Sequence, residues 1–278
     1  MTSVQQEFTY IYENFVWDPA KKQYPSGQGS RMEETEVVRV ALLEVIEEYK
    51  VESVLDLPCG SCSFTSDLIP KIPGYVGADI VEDLIQQNIK SFGDKFVVLD
   101  ALEDEIPCVD LIFCRDMFVH LTNQQILKGL KNMKKSGSKY LFTTTLKQPH
   151  TELNLTTAGP RRWHPINLEE FLLGEPLKCY DEKTPGYPKY IALWDLREIN
   201  FPEEIDSVYP DFVRPKPPKL IPPIKIIPLP VIKAVPKVNI KVKKTKKTKK
   251  TKKTKKPVKK SLVSKKIKIQ KMTRRKKK

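Results

Sequence analysis

The rhythm of apolar positions changes three times along the chain. Between residues 34 and 49, Val37, Val38, Ala41, Leu42, Val45 and Ile46 recur at i, i+3, i+4 spacing behind a cluster of acids. That pattern predicts an amphipathic helix with favourable charge at its amino end. The next stretch reads differently. Residues 53–57, 75–80, 96–99, 110–114 and 140–144 are short runs rich in Val, Ile, Leu and Phe, separated by segments of helical composition. Such alternation predicts a parallel sheet covered on both faces. A further helix is expected to start at Thr122, where Thr122 and Gln125 have capping-box spacing, with Ile126, Leu127, Leu130 and Met133 as its apolar face and its end near residues 134–137. Residues 177–180 and 190–194 read as two more strands joined through a Pro/Gly loop, adding an antiparallel edge. The fold expected is therefore α/β, a Rossmann-like, doubly wound, seven-stranded and mostly parallel sheet with an antiparallel edge strand.

The third change comes at Arg214. Residues 214–240 alternate Pro with Lys, Ile and Leu, the composition of an extended linker, and residues 241–256 repeat Lys-Lys-Thr. Like charges at that density favour disorder through residue 278. Four parts are thus expected: an N-terminal segment at 1–33, a folded domain at 34–213, the Pro-rich linker at 214–240 and a Lys-rich disordered tail at 241–278.

Charge sharpens this division. The chain has 278 residues, a formal net charge of +15 and a pI near 9.4. Of its 49 Lys and Arg, 28 lie at or beyond Arg214, where there is no Asp or Glu, so the first 213 residues carry −13. Any affinity for nucleic acid or another polyanion is expected in the tail and not in the folded part. No run of eighteen apolar residues occurs, and the N-terminus lacks the basic region and apolar core of a secretory leader. The reading is a soluble, intracellular protein, cytoplasmic or nuclear. Five cysteines, an odd number, fit reduced thiols better than a disulfide framework.

The chemistry concentrates at three strand ends. The run from Ser53 to Cys62 carries a buried strand ending in Asp56 into a turn at Pro58, Cys59 and Gly60. In a doubly wound sheet this first strand-to-helix turn comes close to a nucleotide-like ligand, and Gly60 permits that approach. Asp79 ends the second strand, 23 residues after Asp56, the position of an acid that accepts ribose hydroxyls. Asp100 ends the third and is placed to accept from an adenine amine, with Ala101 and Leu102 against the ring.

Arg115, Asp116 and His120 follow the fourth strand and precede the Thr122 cap, which places them in the loop facing a substrate. His120 is a candidate general base, and Asp116 is a candidate to orient it or the nucleophile. The structural alternative is an Arg115–Asp116 ion pair with His120 bonded to the helix start. Residues 26–30, with two glycines among small polar neighbours, read as a flexible flap over the ligand at the strand ends. Residues 161–164, containing Arg161, Arg162, Trp163 and His164, read as lining an acceptor pocket or as an exposed loop that packs Trp163 on the sheet edge.

Taken together, LDLPCGS, GADI, VLDAL and VDLIFCRDMFVHL resemble the successive motifs of the class I, Rossmann-like, S-adenosylmethionine-dependent methyltransferases, over roughly residues 25–200. SGQGS, CGSCSF and CRDMFVHL resemble a small branch of that family. The resemblance implies S-adenosyl-L-methionine as cofactor and methyl transfer by in-line displacement. No metal is expected, since Cys108, Cys114 and Cys179 offer no second close pair beside Cys59 and Cys62 and His is scarce. The departure is that Cys62 and serines stand where further glycines are usual, leaving Gly60 alone. The methyl acceptor is not given by the motifs. The loop after the fourth strand lacks the Asn/Asp-Pro-Pro-aromatic pattern of base or glutamine methylation, which favours a hydroxyl-bearing or other small acceptor.

Two alternatives remain at this point. One is a weak or inactive cofactor-binding domain in a nucleic-acid-associated protein whose basic tail is the working part. The other is a redox protein using Cys59 and Cys62, a Cys-x-x-Cys pair that leaves Asp79 and Asp100 unexplained.

Overall fold

Seven strands follow one another as β1 (Val54–Asp56), β2 (Tyr75–Asp79), β3 (Phe96–Val98), β4 (Leu111–Cys114), β5 (Tyr140–Leu146), β6 (Lys178–Asp181) and β7 (Lys189–Asp195). In the computed structural model, which describes residues 3–20, 23–147 and 163–203, they form one sheet in the order β3-β2-β1-β4-β5-β7-β6. The first five are parallel, with register Leu55↔Val76 and Leu55↔Ile112 at the centre. β7 runs antiparallel to both β5 and β6, so the antiparallel element expected at this side is a hairpin whose outer strand β6 closes the edge.

Helices cover both faces: α1 (Ser3–Glu13), α2 (Glu36–Glu48), α3 (Glu82–Phe92) and α4 (Asn123–Lys135). Alternation along the strands divides the core. Val54, Tyr75, Leu111 and Phe113 pack with Val38, Leu42 and Val45 of α2 and with Leu84 and Ile85 of α3. Leu55, Ile112, Cys114 and Leu141 face the other way, onto Ile126, Leu130 and Met133 of α4. A strand buried on both sides must be apolar at every position, which is why β4 reads as the unbroken run Leu-Ile-Phe-Cys. α4 begins with the expected capping box, since the Gln125 N–H donates to Thr122 Oγ1 at 3.2 Å while Gln125 Oε1 accepts from the Thr122 N–H at 2.9 Å.

Two elements lie outside the sequence expectation. α1 falls in the segment read only as an N-terminal stretch, and residues 169–173 form one π-helical turn. The linker at 214–240 and the tail at 241–278 lie outside the described residues, as do Arg161 and Arg162. Among the described residues, no helix is long and apolar enough to cross a membrane.

Candidate functional site

The chain leaves β1 for β2 on one side and pairs β1 with β4 on the other, so the crossover direction reverses beside β1. A cavity of about 600 Å³ opens there, at the carboxyl ends of β1 to β4. This is the crevice where open α/β sheets hold ligands.

One end of the cavity is made of carboxylates and backbone donors. Asp79 accepts from the Gly60 and Val81 N–H groups, each at 3.1 Å. Burial raises its carboxyl to about 6, against the lowering by those backbone donors. Asp56 accepts from the Tyr75 hydroxyl at 2.8 Å, and burial raises it to about 7. Asp100 accepts from the Leu102 N–H at 2.9 Å, and Leu99, Ala101 and Leu102 line the wall beside it. All six residues expected to hold a cofactor, Asp56, Gly60, Asp79, Asp100, Ala101 and Leu102, therefore border one space.

The turn between β1 and the following segment carries a single glycine. Gly60 has φ +52°, and a Cβ there would stand 2.7 Å from Ser26 Oγ. Cys62 adopts a left-handed φ of +51° although it is not glycine, at a cost of about 1–2 kcal/mol. The backbone thus bends twice where glycines are usual, with one bend carried by a cysteine. Both thiols of the Cys-x-x-Cys pair are buried and free, and burial pushes the Cys59 thiol well up, opposite to what a reactive thiolate requires. The redox reading is not favoured.

The segment at 26–30 was expected to be a flexible flap, and the structure shows it docked. Ser26 Oγ accepts from the Ser61 N–H at 2.8 Å, Gly29 O accepts from Arg115 Nη1 at 3.0 Å, and Gln28 Nε2 donates to Asp18 Oδ1 at 3.3 Å. Gly27 has φ +88°, a left-handed conformation that favours glycine, while the space beside it would admit a Cβ at 3.4 Å from Trp17.

The other end of the cavity contains paired charges and aromatic rings. Buried Arg115, Glu182 and Lys189 and the partly buried Asp116 form a quartet: Arg115 Nη2 to Glu182 Oε2 2.8 Å, Arg115 Nη1 to Asp116 Oδ2 3.2 Å, Lys189 Nζ to Asp116 Oδ2 2.7 Å and Lys189 Nζ to Glu182 Oε2 3.3 Å. Burial would raise the Asp116 carboxyl, but Arg115 and Lys189 hold it well below the usual carboxylate range. Asp116 also has φ +58°, with its N–H bonded to Thr144 Oγ1 at 3.0 Å. The ion-pair alternative for Arg115 and Asp116 is thus the observed geometry, enlarged by two residues that the sequence did not point to.

His120 sits in a 3₁₀ turn over Phe118–His120, and its ring stacks on Trp17 with centroids 4.8 Å apart and planes 24° apart. Phe8 of α1 meets both rings edge-on, at 6.4 and 6.1 Å. Trp17 thus contacts the ring of His120, which also interacts electrostatically with Asp116. Trp163 and Tyr187 line the same cavity, and His164 is buried outside its lining. Trp17, Tyr187, Glu182, Lys189 and α1 had been overlooked. Val4, Phe8, Ile11 and Tyr12, at i, i+4, i+7 and i+8, were a usable signal for the helix. Glu182 and Lys189 carried no comparable signal.

No family model matches the sequence, and no curated protein matches it. Solved structures do. Magnesium protoporphyrin IX methyltransferase from Synechocystis PCC 6803, with bound S-adenosylhomocysteine, aligns with a TM-score of 0.51 at 14% identity, over 69% of this chain and 97% of that one. Phosphoethanolamine N-methyltransferase 1 from Haemonchus contortus, in complex with phosphoethanolamine and S-adenosylhomocysteine, aligns with a TM-score of 0.51 at 12% identity, over 75% of this chain and 53% of that one. At these identities the likeness concerns the fold. The chain has the class I methyltransferase fold.

Proposed function

We propose that this chain is an S-adenosylmethionine-dependent methyltransferase acting on a small, hydroxyl-bearing acceptor. The observation that carries the reading is the convergence of Asp56, Gly60, Asp79 and Asp100, from three different strand ends, on one cavity whose far wall holds His120. The chemistry of the set fits the cofactor: a carboxylate at the end of β2 suits vicinal ribose hydroxyls, and a carboxylate beside apolar Ala101 and Leu102 suits an adenine amine and ring face.

Asp79 would accept the ribose hydroxyls, Asp100 the adenine amine, and the turn at Gly60 would let backbone approach the ligand. When bound, S-adenosylmethionine supplies a methyl group on a sulfonium sulfur that departs with the bonding pair. His120 would take the proton that an attacking hydroxyl must lose, held face-on by Trp17. Asp116, kept ionised by Arg115 and Lys189, is too weak a base for that step and would orient the acceptor. α1 and the docked segment at 26–30 would exclude water by covering the cavity.

Calorimetric titration of the full chain with S-adenosylhomocysteine tests the first claim, and no heat of binding from it or from S-adenosylmethionine would overturn it. Screening acceptors with labelled cofactor then tests the second. His120→Ala is expected to lower turnover by about 10²–10⁴-fold with little change in S-adenosylhomocysteine affinity. Full turnover in that variant removes His120 from the reaction. The basic stretch beyond Arg214 supports, in addition, sequence-independent contact with a polyanion, which should weaken steeply as salt rises.

A further inference from the structure

Two large aromatic side chains are left half in solvent at the cavity. Trp163 is 40% exposed and Tyr187 is 51% exposed, and they meet each other edge to face with centroids 5.0 Å apart. Single exposed aromatics are ordinary on a surface. These two come from segments distant in sequence, and each is brought to the loop after β4 by a separate contact. The His164 N–H donates to Val119 O at 3.0 Å, fixing Trp163 next to the turn that carries His120. Lys189 Nζ reaches Asp116 at 2.7 Å, fixing the hairpin that carries Tyr187 to the start of the same loop. Trp17, stacked on His120, lines the cavity as well. Rings from three separate segments of the chain therefore line the cavity that also holds the candidate base. Cavity-lining aromatics arranged so leave apolar faces for a ligand to cover, and rings prefer offset or edge contact with another ring over contact with a puckered aliphatic surface.

We infer that Trp163, Tyr187 and Trp17 form the acceptor subsite and select a flat aromatic compound carrying the nucleophilic hydroxyl. This rests on the methyl-transfer reading above. It adds the acceptor's class and the residues that choose it. Arg115 and Lys189 are committed to Asp116 and Glu182, so discrimination falls to the rings and not to a free charge.

The test uses the full chain with saturating S-adenosylhomocysteine and two probes of equal carbon count and one hydroxyl each, 4-ethylphenol and 4-ethylcyclohexanol, followed by ligand-observed NMR. The flat probe is expected to bind about 5–10-fold more tightly than the puckered one. Trp163→Ala should erase that preference, and Trp163→Phe should restore part of it, a rescue that a merely structural role would not produce. Since Trp163 is partly exposed, neither change should alter the melting temperature appreciably. Equal binding of the two probes, binding of neither, or an unchanged preference in Trp163→Ala overturns the inference. A titration with S-adenosylhomocysteine alone separates the two readings: loss of that binding with the probe preference intact strikes the methyl-transfer reading, and the reverse strikes the aromatic subsite.

Discussion

The two ends of the cavity treat carboxylates in opposite ways. At the β1–β2 end, Asp56 and Asp79 are buried with neutral partners, a tyrosine hydroxyl and backbone N–H groups, and both titrate above their ordinary range. At the β4 end, Asp116 is only partly buried but stands between the buried Arg115 and Lys189, and it titrates below that range. Burial is common to both ends. The difference lies in whether a cation was buried as well. The first arrangement leaves acceptor capacity for a ligand's hydroxyls and amines. The second spends its charge internally, tying β4, the hairpin of β6 and β7, and the segment at Gly29 into one frame.

Removing one member of the quartet should produce the largest change. Glu182→Ala leaves Arg115 and Lys189 with Asp116 as their one carboxylate, a net cation in a buried place. The expected loss is about 3–5 kcal/mol of stability, read by thermal or denaturant unfolding. A loss under about 1 kcal/mol would show that water already screens the quartet, and the contrast between the two ends would shrink to geometry.

The next effect is a pH dependence of opposite sign at the two ends. An acid whose folded-state pKa is raised binds more protons folded than unfolded, so stability falls as pH rises between the two values. For Asp56 that window runs from the unfolded carboxylate range near 3.8 up to about 7. Asp116, lowered, adds stability above its unfolded value and loses it as pH falls below about 4. Asp56→Asn retains an oxygen for the Tyr75 hydroxyl and removes the titration. Relative to wild type it should gain on the order of 2–4 kcal/mol between pH 4 and pH 7. Parallel stability curves for the two proteins would mean that Asp56 titrates normally.

These two ends also differed in how far the sequence exposed them. The acids at 56, 79 and 100 each end a local strand whose apolar run is visible over four to six residues, and the topology rule places the ends of neighbouring parallel strands together. The quartet joins Arg115 to Glu182 and Asp116 to Lys189, 67 and 73 residues apart, through an antiparallel hairpin whose register no local pattern specifies. Lys189 begins β7 and Glu182 follows β6, each reading as an ordinary polar residue at a strand end. Arg115, Asp116 and His120 were legible as a loop after β4, while their partners were not, and the contact of Trp17 with His120 was missed. The contacts of the segment at 26–30 were hidden in the same way: two glycines signal backbone freedom, but Ser61 and Arg115, on which the segment rests, lie 35 and 86 residues from their partners.

A third, smaller effect tests the ligand-facing capacity of the first end. Asp79→Ala should weaken S-adenosylhomocysteine by about 10–100-fold, the loss of hydrogen bonds to an ionised acceptor, as measured by calorimetry at pH 8. Because Asp79 titrates near 6, wild-type affinity should itself fall as pH drops through that value, and the variant should lose this dependence. Affinity within about twofold of wild type would detach Asp79 from the ribose.

The smallest effect concerns how the first end is covered, and a double-mutant cycle isolates it. Gly60→Ala faces two obstacles, the left-handed φ of +52° and the Ser26 side chain, whose Oγ and Cβ would lie 2.7 and 3.0 Å from the new methyl group. The conformational part costs about 1 kcal/mol and is intrinsic to the turn. The contact part depends on the segment at 26–30 being docked against the turn, as the Ser61 N–H bond to Ser26 Oγ indicates. Ser26→Gly removes both contacting atoms and by itself should cost about 1 kcal/mol, the hydrogen bond included. If the segment is docked, Gly60→Ala should be milder in the Ser26→Gly background than in wild type, giving a coupling of about 0.5–1 kcal/mol in unfolding experiments. Simple additivity of the two changes would mean that the segment stands away from the turn in solution. The cavity would then be covered at the β1–β2 end by α1 alone.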